Sequence, residues 1–350
     1  MNHKMDLKKE ILTILENNRD KAISGQALGQ RLGVSRAAAW KAVQALRSEG
    51  HQIIAATNRG YQLAQNSDLL TEEGIRRHLQ KPFCQMPVYV FKQLDSTNEE
   101  AKRIALQEDA SSCAVFSESQ TKGKGRYGKS FFSPAQTGLY MSLLLRPQGD
   151  MHSLLSLTFA AAVAVCRAIE ELTDCRPKIK WVNDVYLEQK KICGILTEAV
   201  SDFESARAQW VIIGIGVNVK TPLQSFPEEL QETAGSLDRP DLSRSRLAAQ
   251  ILNELLDLCR ELGFLAPSAR ALSSSGDPAR AKEALLNEYR KRSLVLGKTI
   301  SYTKAGTLCQ ALALDINQEG NLLVRDEKGG LSLLKSGEIS IVKDSLWNQP

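Results

Sequence analysis

Residues 120–134 read Gln120-Thr121-Lys122-Gly123-Lys124-Gly125-Arg126-Tyr127-Gly128-Lys129-Ser130-Phe131-Phe132-Ser133-Pro134. The fold turns on the segment just beyond these glycines. Gly123, Gly125 and Gly128 match G-x-G-x-x-G, and a predicted strand, Ala114 to Glu118, precedes them. A dinucleotide-binding βαβ unit needs a helix to open from such a loop, with its N-terminus facing the pyrophosphate. Ser130 to Pro134 does not begin a helix, and the next regular segment, Leu139 to Leu145, reads as another strand. The phosphate-loop pattern also fails, since no Gly-Lys-Ser/Thr ends the run. The remaining reading is a cationic glycine-rich loop between strands. Its N–H groups and charges suit an anion, although an exposed basic turn has the same composition.

Outward from this loop, Val88 to Leu94 reads as a strand, and Asp95-Ser96-Thr97-Asn98 leads into a helix from Glu99. A long helix is predicted from Ser153 to Leu172, and strands at Ile179–Trp181, Val185–Leu187, Ile192–Ala199 and Ala208–Val219. These are runs of strands with helices to one side, without regular βαβ alternation, so a multidomain α+β protein with a mixed, mostly antiparallel central sheet is expected. Ala266 to Arg280, rich in Ala, Ser, Gly and Pro, reads as a joint or loop, with a helix beyond it ending near Arg292. The last 50 residues are short strands punctuated by glycines, a pattern that suits a small β-barrel.

Two further strand ends are polar. In Lys180-Trp181-Val182-Asn183-Asp184, a lysine among apolar neighbours is followed by an amide and a carboxylate, with Lys191-Ile192-Cys193-Gly194-Ile195 beyond. That grouping can serve phosphate and metal chemistry together, or simply end a strand in a polar turn. Gly214-Ile215-Gly216-Val217-Asn218 allows either close backbone approach to a ligand or a β-bulge.

The N-terminal 65 residues hold ten Lys/Arg and five Asp/Glu, whereas the remaining chain holds 35 of each. Between Asp20 and Glu49 there are five bases, Lys21, Arg31, Arg36, Lys41 and Arg47, and no acid. A solvated surface normally mixes both signs; a one-signed basic face suits a phosphate backbone. Leu7, Ile11, Ile14 and Leu15 are spaced for a first helix. Ser24 starts a second, which Gly33 ends, and Ser35 caps a third running from Arg36 to Ser48. In that third helix Ala39, Val43 and Leu46 form the inner stripe with Trp40 alongside, leaving Ser35, Arg36, Lys41, Gln44 and Arg47 outward. His51–Ala55 and Tyr61–Leu63 read as a hairpin turning at Asn58-Arg59-Gly60, with Arg59 at its tip. Together these elements predict a winged helix-turn-helix that reads DNA; a helical protein-interaction module has the same topology.

The seven cysteines are scattered and never spaced as CxxC, and there are four histidines, so no zinc-ligand pattern appears and free thiols of a reducing cytosol are expected. The most apolar run, Leu154 to Cys166, is too short for a bilayer, which needs about 20 residues. No signal peptide is visible. A soluble, cytoplasmic protein with no membrane partner is expected.

In their order along the chain, Asp95 to Asn98, Gln120 with Gly123 to Gly128, Lys180 to Asp184, Lys191 to Leu196 and Gly214 to Asn218 resemble the motifs of the biotin–protein ligase family. Ser35-Arg36-Ala37-Ala38-Ala39-Trp40-Lys41 resembles that family's recognition helix, and Gly337-Glu338-Ile339-Ser340 the end of its C-terminal barrel. The likeness departs at Lys124 and Tyr127, where arginine is common, at Val182 in place of proline, and at Phe131 in place of tryptophan.

The resemblance implies three domains: a winged helix-turn-helix over 1–66, a class II synthetase-like ligase domain over 67–290 and an SH3-like barrel over 291–350. It implies ATP-dependent activation of biotin to biotinyl-5′-AMP, with Mg²⁺, and transfer to a lysine of the biotin carboxyl carrier protein. Lys180 and Arg126 would be catalytic. Ser96, Thr97, Asn98, Gln120, Lys124, Gly125, Arg126 and Lys180 would bind biotin, and Asn183, Asp184 and Asn218 the nucleotide. Asn183 and Asp184 would serve magnesium and orientation, with no resident metal site assigned. Ser35, Arg36, Lys41, Gln44, Arg47 and Arg59 would contact operator DNA, through a ligand-induced homodimer that represses biotin synthesis genes. Two other classes share parts of this pattern. A metabolite-sensing repressor would need no Lys180. A lipoate–protein ligase favours an arginine pair before three glycines, which is absent here, and lacks the basic head.

Overall fold

The computed structural model describes residues 6–56, 59–64, 67–147, 154–201, 208–265, 277–304, 306–335, 337 and 339–342. The head consists of α1 (Leu7–Glu16), α2 (Gly25–Leu32), α3 (Arg36–Ser48) and the antiparallel hairpin β1 (Ile53–Ala56) and β2 (Gly60–Leu63). Ser24 Oγ accepts from Ala27 N–H at 3.0 Å and Ser35 Oγ from Ala38 N–H at 3.1 Å, so each serine satisfies an orphan donor of the helix it starts. Between the two helices Gly33 adopts φ 65°, the left-handed turn that glycine enters without a Cβ clash. Ile11, Leu15, Leu28, Val43, Leu46 and Leu63 close a separate small core. One expectation is corrected here: Ala42 completes the inner stripe of α3, and Trp40 stands out from it, 51% exposed. Asn58, of the expected turn, lies outside the described residues.

The body is a seven-stranded mixed sheet built from β3 (Val88–Phe91), β4 (Cys113–Ser117), β5 (Gly138–Leu145), β6 (Lys178–Lys180), β7 (Asp184–Leu187), β8 (Lys190–Ser201) and β9 (Ala208–Asn218). Its order is β3-β4-β5-β9-β8-β7-β6; β3 and β4 are parallel and every other pair antiparallel. The helices lie on both faces, not one; the short α4 (Glu72–Arg76) precedes β3 and α7 (Glu228–Gln231) follows β9. Ala114 and Phe116 of β4 join the main core with helices α6 (Leu154–Leu172) and α8 (Arg244–Glu261). The alternate residues Cys113 and Val115 join Ala101, Ala105, Leu144, Trp210 and Ile212 under α5 (Thr97–Ala105). A strand apolar at every position needs cover on both faces. Helix α5 starts at Thr97, two residues before the expected Glu99.

Residues 266–276 of the expected joint lie outside the described residues. The expectation that it runs to Arg280 is corrected: α9 (Pro278–Arg292) begins at Pro278, with Asp277 Oδ1 capping Ala279 N–H at 2.9 Å. Proline at the first helical position costs no hydrogen bond, because that N–H has no partner in any helix.

The C-terminal strands β10 (Thr299–Lys304), β11 (Thr307–Ile316), β12 (Leu322–Arg325), β13 (Leu331–Leu334) and β14 (Ile339–Ile341) form an antiparallel sheet in the order β13-β12-β11-β10-β14. Two bonds fasten this sheet and α9 to the Lys180–Asp184 segment. Trp181 Nε1 donates to Gly320 O at 3.1 Å, and Tyr289 Oη of α9 donates to Val182 O at 2.9 Å. Among the described residues no helix is long and apolar enough to cross a membrane.

Candidate functional site

Five elements converge on a cavity of about 350 Å³ over the sheet. The N-terminus of α5 brings Ser96, Thr97 and Asn98, and the segment after β4 brings Gln120. Strands β6, β8 and β9 bring Lys180, Gly194 to Leu196 and Gly214 to Gly216. One end is a closed polar network. Gln120 Oε1 accepts from Thr97 N–H at 2.8 Å, and Gln120 Nε2 donates to Ser133 Oγ at 2.9 Å. Ser142 Oγ of β5 is 2.8 Å from Thr97 Oγ1 and 2.6 Å from Asn98 Oδ1, while Asn98 Nδ2 donates to Glu198 Oε2 at 2.7 Å. Gly214 is required by this network, since a Cβ there would strike Asn98 Oδ1. At Gly214-Ile215-Gly216 the close approach is to the protein's own side chains, Asn98 over the first glycine and the Phe131 ring over the second, and not to a ligand as expected.

The glycine-rich segment folds as a small hairpin. Gly125 N–H donates to Lys129 O at 2.7 Å and Phe131 N–H to Gly123 O at 2.9 Å, with Tyr127 at the tip in the left-handed region, φ 55°. Arg126 reaches across the cavity: Nη1 donates to Asn183 Oδ1 at 3.0 Å, and Nη2 to Tyr127 Oη at 3.0 Å. Lys124 pairs with Glu99 of α5 at 2.7 Å. That hydrogen bond, followed by the one from Lys102, holds the Glu99 carboxyl below the usual carboxylate range.

Lys180 Nζ lies 5.6 Å from the centre of the Tyr186 ring, and Lys191 Nζ pairs with Asp184 Oδ1 at 2.8 Å. Burial, with the Asp184 charge added, pushes the Tyr186 phenol well above its ordinary value. Lys124, Arg126, Lys129, Lys180 and Lys191 line the cavity against one acid, Asp184. Five cations facing one carboxylate around a hydroxyl–amide network are built for a ligand with a polar, uncharged end and an anionic end.

The cavity therefore brings together Ser96, Thr97, Asn98, Gln120, Lys124, Gly125, Arg126, Lys180, Asn183 and Asp184. Asn218 is not among its lining residues. It is buried at the end of β9, with Nδ2 donating to Gly235 O at 2.9 Å and Oδ1 without a hydrogen-bond partner among the described residues. Sequence reasoning does not assign Lys129, Lys191 or Thr233, nor Gly337, Ile339 and Ser340, which bring the C-terminal sheet to the cavity wall. Lys191 and Gly337 to Ser340 are visible as motifs; Thr233 carries no signal.

On the head, Ser35, Arg36, Lys41 and Arg59 are exposed, and Gln44 and Arg47 half-buried. Ser35 Oγ is engaged in capping α3. Arg47 Nε donates to Ile53 O at 2.8 Å, which ties α3 to the hairpin.

The Biotin/lipoate A/B protein ligase family matches residues 90–218, and an HTH domain matches residues 8–62. The chain belongs to the biotin/lipoate A/B protein ligase family. It is 36% identical over 233 residues to the bifunctional ligase/repressor BirA of Bacillus subtilis strain 168, covering 67% of this chain and 71% of that one. It is 32% identical over 328 residues to the bifunctional ligase/repressor BirA of Escherichia coli strain K12, covering 91% of this chain and 92% of that one. Among solved structures it is similar to a biotin protein ligase from Aquifex aeolicus in complex with biotin and ATP, with TM-score 0.58, 26% identity, and 73% and 98% of the two chains covered.

Proposed function

We propose that the protein is a biotin–protein ligase and a biotinyl-AMP-dependent repressor of biotin synthesis genes. The carrying observation is the division of the cavity between the Thr97–Asn98–Gln120–Ser142 network and the cationic set around Lys180. Biotin's ureido ring is polar and uncharged, and its carboxylate is anionic, which supports placing the ring at the first and the carboxylate at the second.

In the first step a carboxylate oxygen of biotin attacks the α-phosphorus of ATP and pyrophosphate leaves. Negative charge grows on the phosphoryl oxygens, and Lys180 supplies a fixed compact cation beside them. Arg126, with Lys124 and Gly125, closes over the adenylate and keeps water from the mixed anhydride. In the second step a lysine ε-amine of the biotin carboxyl carrier protein attacks the anhydride carbonyl, and AMP leaves. Asp184 and Asn183 would offer a carboxylate and an amide oxygen to Mg²⁺ arriving with the phosphates, in exchange for the contacts these residues now make with Lys191 and Arg126. Bound there, the ion would neutralise charge on the phosphate chain. Asn218 joins the nucleotide assignment as a supporting residue behind the wall, through Gly235.

We assign residues 1–66, 67–290 and 291–350 as the DNA-binding, ligase and SH3-like barrel domains. The basic face of α3, with Arg59 on the hairpin, binds operator DNA as a ligand-induced homodimer in the cytoplasm. Incubation with ATP, labelled biotin and the apo carrier domain tests the ligase reading. Covalent, ATP-dependent labelling of one carrier lysine is expected; labelling by lipoate in preference to biotin, or none, would overturn it.

A further inference from the structure

Trp40 stands half in water on the outer side of α3, and the head closes its core without it: Ala39, Ala42, Val43 and Leu46 fill that core from the same helix. At 3.6 residues per turn, Trp40 lies about 40° round the helix from Arg36 and about 40° from Gln44. It therefore sits within the arc that carries Arg36, Ala37, Lys41 and Gln44, of which the first three are exposed. An indole left in water forfeits much of the free energy its burial would give, roughly 25 cal/mol per Å². Its cationic surroundings, with no acid from Lys21 to Ser48, suit a polyanion better than an apolar protein surface.

The major groove offers one apolar feature to such a face, the C5-methyl group of thymine. Resting on the reading of the head as DNA-binding, we infer that Trp40 reads sequence, its indole packed against thymine methyl groups in the operator half-site. Arg36 and Lys41 on either side hold the helix to the phosphates. The division of labour is then clear: cations set affinity for any duplex, and the indole discriminates among base pairs.

The test uses the full chain with biotin and ATP present, and the tightest duplex selected from a random double-stranded library. On that duplex each thymine is replaced in turn by uracil, which deletes only the methyl group. Wild type should lose about fourfold in affinity at one or two positions per half-site, the worth of one buried methyl. Trp40→Ala should bind the selected duplex roughly tenfold or more weakly, yet bind random duplex within about twofold of wild type and with the same salt slope. It should be indifferent to uracil. Uracil without effect on wild type overturns the inference and needs no variant to fold. So does Trp40→Ala with undiminished preference, or with equal loss on both duplexes. Arg36→Ala separates this from the reading beneath it. If Arg36→Ala weakens binding to every duplex while Trp40→Ala changes nothing, only the role of Trp40 falls; if wild type shows no salt-dependent affinity for any duplex, both fall.

Discussion

Arg244 Nη1 donates to Glu118 Oε2 at 2.8 Å, with the arginine 1% exposed. The same guanidinium binds Asp68 through Nε at 3.0 Å and Gly138 O at 3.0 Å, and Glu118 Oε1 accepts from Leu70 N–H at 2.6 Å. One buried cation thus joins α8, the end of β4 and the segment between the head and the body. Removing it leaves the buried Glu118 carboxylate without its cation, while Asp68 keeps Lys220 at 2.6 Å. Arg244→Leu should cost about 3–5 kcal/mol of stability, the usual penalty for breaking a buried pair from one side. Urea denaturation checks this, and a loss below about 1 kcal/mol would show that water reaches the cluster.

Lys180→Ala should lower ATP–pyrophosphate exchange by about 10²–10³, the common cost of one preorganised electrostatic contact, with melting temperature little changed. Normal exchange in a folded variant would remove Lys180 from the chemistry.

Gly214→Ala should raise KM for biotin at least about tenfold, because the new Cβ displaces Asn98 from Ser142 and Glu198 and unpairs buried polar groups. Adding Asn98→Ala should relieve the clash without restoring affinity. Unchanged biotin affinity in the single variant would detach Asn98 from the site.

His51, at the start of the hairpin, is buried, and burial lowers its pKa from the ordinary 6.5; Lys92 and Lys8 lower it further, while Glu49 and Glu16 oppose them. The unfolded chain therefore takes up the proton first. Its contribution to stability is full above pH 6.5 and is lost as pH falls from there through the folded value. Urea midpoints measured from about pH 8 to about pH 5 should drop, and His51→Gln should flatten the drop. The same slope in the variant would place the titration elsewhere.

Much of this architecture is legible because it rests on local rules. Ser24, Gly33 and Ser35 mark helix ends by capping chemistry, and the non-helical Ser130–Pro134 excludes a βαβ unit. Neither reading needs distant contacts. The failures are tertiary. Apolar character alone groups Trp40 with the inner stripe, and only packing reveals that Ala42 takes that place. Ile339 and Ser340 reach the cavity only through the docking of the C-terminal sheet, which no local pattern announces.

The cavity and the basic head are joined in one chain, so adenylate should govern DNA binding. A ligand shifts an equilibrium only by its differential affinity for the two states. In the structure Arg126 is held by Asn183 and Tyr127, and Lys124 by Glu99; an anionic adenylate competes for both cations and so changes how the loop is held. If the reorganised loop contributes to a two-fold dimer surface, adenylate favours the dimer, and a dimer reads two half-sites at once. Titration of the selected duplex should therefore show tighter binding with biotin and ATP than without, alongside a monomer-to-dimer shift in sedimentation. Apo carrier domain should weaken it by consuming the adenylate. Arg59, exposed on the hairpin, should supply one phosphate contact, and each such contact adds about −0.9 to the slope of log K against log salt. Arg59→Ala should flatten that slope by roughly one unit. Equal affinity for the duplex with and without adenylate would separate the repressor from the ligase, even with full ligase activity in the same sample.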